Sequence, residues 1–137
     1  MTKEKIGIVV SDTYADITDA MLTVGKKHAE FLGVDVVKVM HVPGSFDMPI
    51  AIKHMLKKQD IDGIVTLGAV IEGDTDHDTI VAQNAARKIT DLSVEYEKPV
   101  SLGISGPKMN RMEAMEHIDK MAKAAVESCV KMIRRLK

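Results

Sequence analysis

Four short apolar runs recur along the chain, at residues 6–10, 34–42, 64–71 and 100–104, each rich in β-branched side chains. Runs of this length and composition predict strands. They alternate with segments whose apolar residues fall at helical spacing, at 16–31, 46–58, 76–96 and 109–136. Strands that are apolar almost throughout, rather than at every second position, are strands buried on both faces, and helices between them predict parallel crossovers. The pattern therefore predicts an α/β protein, a three-layer α/β/α flavodoxin-like fold with a four-stranded parallel sheet, in a single domain spanning 1–137. Gly33 suits the stop of the first helix, and the "EKP" at 97–99 punctuates the approach to the fourth strand.

Such sheets bind ligands outside the carboxyl ends of their strands. Four turns lie there: "SDTY" (11–14), "HVPGSF" (41–46), the stretch 68–77, and "SGPK" (105–108). Glycines and small hydroxyl residues in them let a ligand approach the backbone, so a small-molecule pocket is expected. Charge narrows the choice of ligand. Lys and Arg total 19 against 20 for Asp and Glu, which leaves no positive excess to draw the protein onto nucleic acid or anionic lipid, and neither is an expected partner. No apolar run is long enough to span a bilayer, and "MTKEKIGIVV" lacks the three regions of a signal peptide, so the expected location is cytoplasmic. The single Cys129 falls in a helical pattern and reads as a buried, inert thiol.

The chemistry concentrates in "GAVIEGDTDHD" (68–78). Its Gly68-x4-Gly73 spacing mimics a phosphate-binding P-loop, but Asp74 stands where that motif needs Lys ahead of the Ser or Thr position that Thr75 fills. Asp74, Asp76 and Asp78 mimic a calcium loop, yet Thr79 occupies its glycine position and Ala85 its bidentate glutamate position. A magnesium site on Glu72, Asp74 and Asp76 requires side chains along a strand end and a helix cap to converge, which spacing does not ensure. The remaining reading is a helix start: Thr75 or Asp76 caps it, and the N–H groups of Gly73, Asp74 and Thr75 offer an anion site. His77, in the first turn, is then either a proton shuttle beside that anion or a solvated imidazole among acids.

The other histidines read more plainly. His28 and His54 sit among lysines and suggest solvated helix faces, while His41 is packing or pocket. His117 shares a helical face with Lys120, an anion-binding pair or simply a polar face. In "VPGSFDMP" (42–49) a turn leads into a helix at Ser45 and Phe46, with Asp47 in the first turn. Either these face the same cleft as His77, with Phe46 against a flat ring, or they are a helix cap with a staple.

Taken together, "VPGSFDMPIAIKHML", "DGIVTLGAVIEGDTDHD", "IVVSDTYADIT" and "KPVSLGIS" resemble the 6,7-dimethyl-8-ribityllumazine synthases over nearly the whole chain, archaeal members especially. The resemblance implies a cofactor-free enzyme of the penultimate step of riboflavin synthesis. Its substrates are 5-amino-6-(D-ribitylamino)uracil and 3,4-dihydroxy-2-butanone 4-phosphate. By position it makes His77 the proton-transfer residue and Gly73, Asp74 and Thr75 the phosphate cradle. Ser45, Phe46 and Asp47 become the ribityl-binding turn, and Val70 and Ile71 the pocket wall beside the pyrimidine. It also implies active sites between neighbouring subunits of a pentamer, which twelvefold repetition closes into a capsid, and riboflavin synthase as a further partner. Five positions depart from the family pattern, one being Asp47, where a glutamate is usual. Thr13 stands where an aromatic commonly stacks on the pyrimidine, leaving Tyr14 as its substitute; Leu102 replaces a neighbouring subunit's aromatic. His117 replaces a phosphate-binding arginine, with Lys120 or Lys123 to compensate, and Asp74 brings like charge to an anion. The competing expectations are an archaeal-type riboflavin synthase, a flavodoxin-like flavin-binding protein, which four aromatic rings supply poorly, and a scaffold without activity.

Overall fold

The computed structural model describes residues 3–58, 60–73 and 76–137. The chain runs β1 (Lys5–Ser11), α1 (Ala15–Phe31), β2 (Asp35–Val42), a 3-10 turn (Ser45–Asp47), α2 (Met48–Leu56), β3 (Gly63–Ala69), α3 (His77–Tyr96), β4 (Val100–Ser105), α4 (Arg111–Glu116) and α5 (Ile118–Arg135). All four strands are parallel, in the order β2-β1-β3-β4. Alternation of side chains across β1 and β3 feeds two cores. Ile6, Ile8, Val10, Val65 and Leu67 pack with Ile17, Met21, Val126 and Val130 of α1 and α5. Val9 and Ile64 pack on the other face with Met48, Ile52, Ala85 and Ile89 of α2 and α3. This double burial is why β3 is buried at every position and reads as one apolar run. Each aliphatic side chain so buried contributes about 1.5–3 kcal/mol.

The three-layer α/β/α arrangement matches the one expected from the sequence, and the differences have local causes. The last predicted helix is two, broken at His117. Only Ala114 of α4 is buried, so α4 has no apolar stripe to hold it in line with α5, whose Ala122, Val126, Cys129 and Ile133 follow the sheet. Before α2, the Gly44 N–H donates to Asp47 Oδ2 at 3.0 Å and tightens Ser45–Asp47 into a 3-10 turn. The α-helix starts at Met48, with Pro49 in the first turn where a missing N–H leaves nothing unpaired. His28 is not solvated: its side chain is 12% exposed, its Nε2 lies 3.0 Å from Glu127 Oε1, and its ring stacks on Phe31. Cys129 is buried as expected, and burial pushes its thiol up to about 12.

Near the termini, Arg134 donates to both carboxylate oxygens of Glu4, each at 3.2 Å, and to the Leu32 carbonyl. The guanidinium hydrogen bond holds the Glu4 carboxyl below its ordinary 4.5. A carboxyl depressed on folding stabilises above its unfolded pKa, and that contribution is lost as pH falls through the folded value. Glu4→Gln should therefore lower the melting temperature near neutrality, with the gap to wild type closing well below pH 4.5. Melting curves across that range test it; a gap independent of pH contradicts it.

Candidate active site at the strand ends

The crossover after β1 runs to β2 and the next returns past β1 to β3, so the sheet reverses direction between β1 and β3. In open α/β sheets that reversal opens a crevice at the carboxyl ends of the strands. A cavity of about 350 Å³ lies there. The turn after β1 supplies Thr13 and Tyr14, the turn after β2 supplies Gly44, Ser45 and Phe46, the end of β3 supplies Ala69, Val70, Ile71 and Gly73, and α3 supplies His77, Asp78 and Val81.

Each wall has a local cause. Thr13 is held by its hydroxyl, which donates to the Pro43 carbonyl at 2.7 Å and ties the first turn to the second. Tyr14 takes the left-handed conformation at φ 58° and brings its ring to the cavity. The Arg111 guanidinium lies 5.7 Å over that ring and ion-pairs with Asp16, a cation–π contact joining α4 to the start of α1. Beneath the cavity, a Cβ on Gly68 would lie 2.8 Å from Ser45 Oγ and 3.0 Å from Met48 Cε, so glycine lets β3 pass close under the second turn without displacing those side chains. Beyond Ala69 the strand cannot continue. Its neighbour β4 ends at Ser105, Gly106 turns away at φ 100°, and Val70 and Ile71 become wall instead of strand.

His77 is the first residue of α3, exposed and lining the cavity. Asp76 is the N-cap; among the described residues its side chain makes no capping bond, while its carbonyl accepts from Thr79 and Ile80. Asp74 and Thr75 lie outside the described residues, and with them part of the phosphate cradle and of the magnesium reading. Among the described residues no three His, Cys, Asp or Glu side chains gather closely enough to hold a metal. Asp78, only 8% exposed, accepts from the Lys108 N–H at 3.0 Å.

The structure thus brings Thr13, Tyr14, Ser45, Phe46, Val70, Ile71, Gly73 and His77 onto one cavity. Asp47 turns back to Gly44 instead of lining it. Leu102 is 51% exposed on the edge strand β4, and His117 is half-buried at the α4–α5 joint, both outside their own chain's cavity. Sequence reasoning passed over Val81, Arg111 and the inward turn of Asp78. A signal for the last existed: Asp78, Ala82, Ala85 and Ile89 form the inner stripe of α3 at helical spacing.

Fold and site together define a flavodoxin-like α/β protein with a small-molecule cavity where its sheet reverses direction. A family model described as 6,7-dimethyl-8-ribityllumazine synthase matches residues 3–137. Among proteins of that name, the chain is 61% identical to one from Picrophilus torridus over 133 residues, 97% of each chain. It is 58% identical to one from Archaeoglobus fulgidus, covering 100% of this chain and 95% of the other. With one from Methanothermobacter thermautotrophicus the identity is 56%, over 100% and 98%. The chain belongs to the 6,7-dimethyl-8-ribityllumazine synthase family, transferases of riboflavin biosynthesis.

Proposed function

We propose that this protein condenses 5-amino-6-(D-ribitylamino)uracil with 3,4-dihydroxy-2-butanone 4-phosphate to 6,7-dimethyl-8-ribityllumazine, releasing phosphate and water, with His77 moving the protons. The observation that carries the reading, in a chain of this family, is His77 on one cavity with the turn Gly44, Ser45, Phe46 and the wall Val70, Ile71. The pyrimidine lies flat against Val70 and Ile71, with Tyr14 or Phe46 as its aromatic neighbour, and the ribityl chain reaches the Gly44–Phe46 turn. The phosphate sits at the start of α3, near Gly73, Asp74 and Thr75, where the first N–H groups of a helix have no intrahelical partner.

The 5-amino nitrogen adds to the ketone carbon, and the carbonyl oxygen leaves as water. Removal of the adjacent C–H proton lets the C–O bond to phosphate break. The enol so formed tautomerises to a second ketone, on which the ribitylamino nitrogen closes the ring with loss of water. Each step moves a proton, and an imidazole can accept and return it. Mixing the purified protein with both substrates should give the lumazine chromophore and free phosphate; no product would overturn the assignment.

In the same reading the working unit is a pentamer in the cytoplasm, alone or closed into a capsid, and riboflavin synthase takes the product. Its support is that Leu102 and His117 lie off their own cavity, on surfaces a neighbour could use, and that Val94, Leu102, Met132 and Leu136 are exposed apolar residues. His117, with Lys120 or Lys123, would then meet a neighbour's phosphate, less firmly than a bidentate arginine. Native mass spectrometry should give about five chain masses, or about sixty for a closed capsid. A dimer contradicts it, because an isologous pair cannot repeat that contact around a ring.

A further inference from the structure

Asp78 is, among the described residues, a charged residue lining the cavity whose charge the proposed reaction does not use. Its carboxylate is buried beside the first turn of α3, and a buried carboxylate must be hydrogen-bonded to be tolerated. Oδ2 accepts from the backbone N–H of Lys108, 3.0 Å away, on the loop between β4 and α4. Lys108 sits at φ 60°, a conformation unfavourable for a residue with a Cβ, so something must hold the loop in that shape. The same loop is fastened to the segment after β3 at two more points. Ser105 O accepts from Val70 N at 2.8 Å, and Met109 O accepts from Glu72 N at 2.9 Å. Beyond it, Asn110 and Glu113 cap α4 reciprocally, which anchors the far end. The Asp78 bond is therefore the tie that joins α3 to a loop already fixed to Val70 and Glu72.

We propose that Asp78 is a positioning residue: through the Lys108 N–H it locks the first turn of α3, and so the His77 imidazole, in register with the Val70–Ile71 wall. The inference rests on the proton-transfer role of His77 given above. A catalytic group displaced by about 1 Å loses on the order of 100-fold in rate. Turnover by the full-length protein tests it, with wild type, Asp78→Ala, Asp78→Leu and Asp78→Asn measured together. Alanine and leucine, which remove the acceptor, should lower kcat by about 10- to 100-fold and change KM for either substrate far less. Asparagine keeps an oxygen in the same position and should recover most of the loss. Leucine fills the site, so it decides the matter if alanine fails to fold. Undiminished kcat in folded alanine or leucine variants overturns the inference, as does an asparagine variant as slow as leucine. Wild type without product defeats the reaction assignment instead, so the two failures are distinguishable.

Discussion

Replacing His77 by alanine should lower kcat by about 100- to 10,000-fold, the usual contribution of a positioned proton-transfer group, while KM for both substrates changes little. The expectation follows from where the residue stands. His77 opens α3 and reaches the cavity from one side, whereas the surfaces assigned to binding come from other elements: Tyr14 after β1, Ser45 and Phe46 after β2, Val70 and Ile71 after β3. Removing an imidazole leaves those contacts in place, and a loss confined to the reacting steps appears in kcat and kcat/KM alike. Steady-state kinetics with each substrate varied in turn checks it. Equal losses in binding and turnover, or no loss, would remove His77 from the chemistry.

Gly106→Val should give a large fall in stability. Gly106 is at φ 100°, which side chains beyond glycine rarely adopt, and a Cβ there would overlap the carbonyl oxygen of Val70. The wall cannot retreat, because the N–H of the same Val70 is bonded to Ser105 O. Backbone strain of about 1–3 kcal/mol adds to overpacking of about 1–3 kcal/mol, a large share of the margin by which domains are stable. The melting temperature should drop by on the order of 10 °C, and activity should fall with it because the displaced segment is the cavity wall. Thermal unfolding at one protein concentration measures this; an unchanged transition would mean that the loop moves freely.

The sheet was legible because double burial leaves a mark in sequence: β3 runs apolar from Ile64 through Leu67 with both its faces covered. The position of His77 on the cavity was legible for a related reason, since a strand emptying into glycine and acids marks the ligand end of a parallel sheet. What escaped depends on partners far along the chain. Nothing near His28 announces Glu127, 99 residues away, so a lysine-flanked histidine looks solvated when it is not. Asp78 was one carboxylate among several, and its partner is a backbone N–H that has no sequence signature. The joint at His117 is equally silent, because it reflects how little of α4 is buried rather than any residue that breaks helices. Leu102 and His117 could be aligned with family positions, but a single chain holds neither on its own cavity.

The proposed reaction joins two substrates at the cavity that His77 lines. Its most direct test is the ratio of phosphate released to lumazine formed, followed together with each substrate omitted in turn. Equal amounts of both products are expected, and neither when a substrate is missing. Phosphate released without lumazine, or lumazine formed at the same rate with and without the protein, would contradict it.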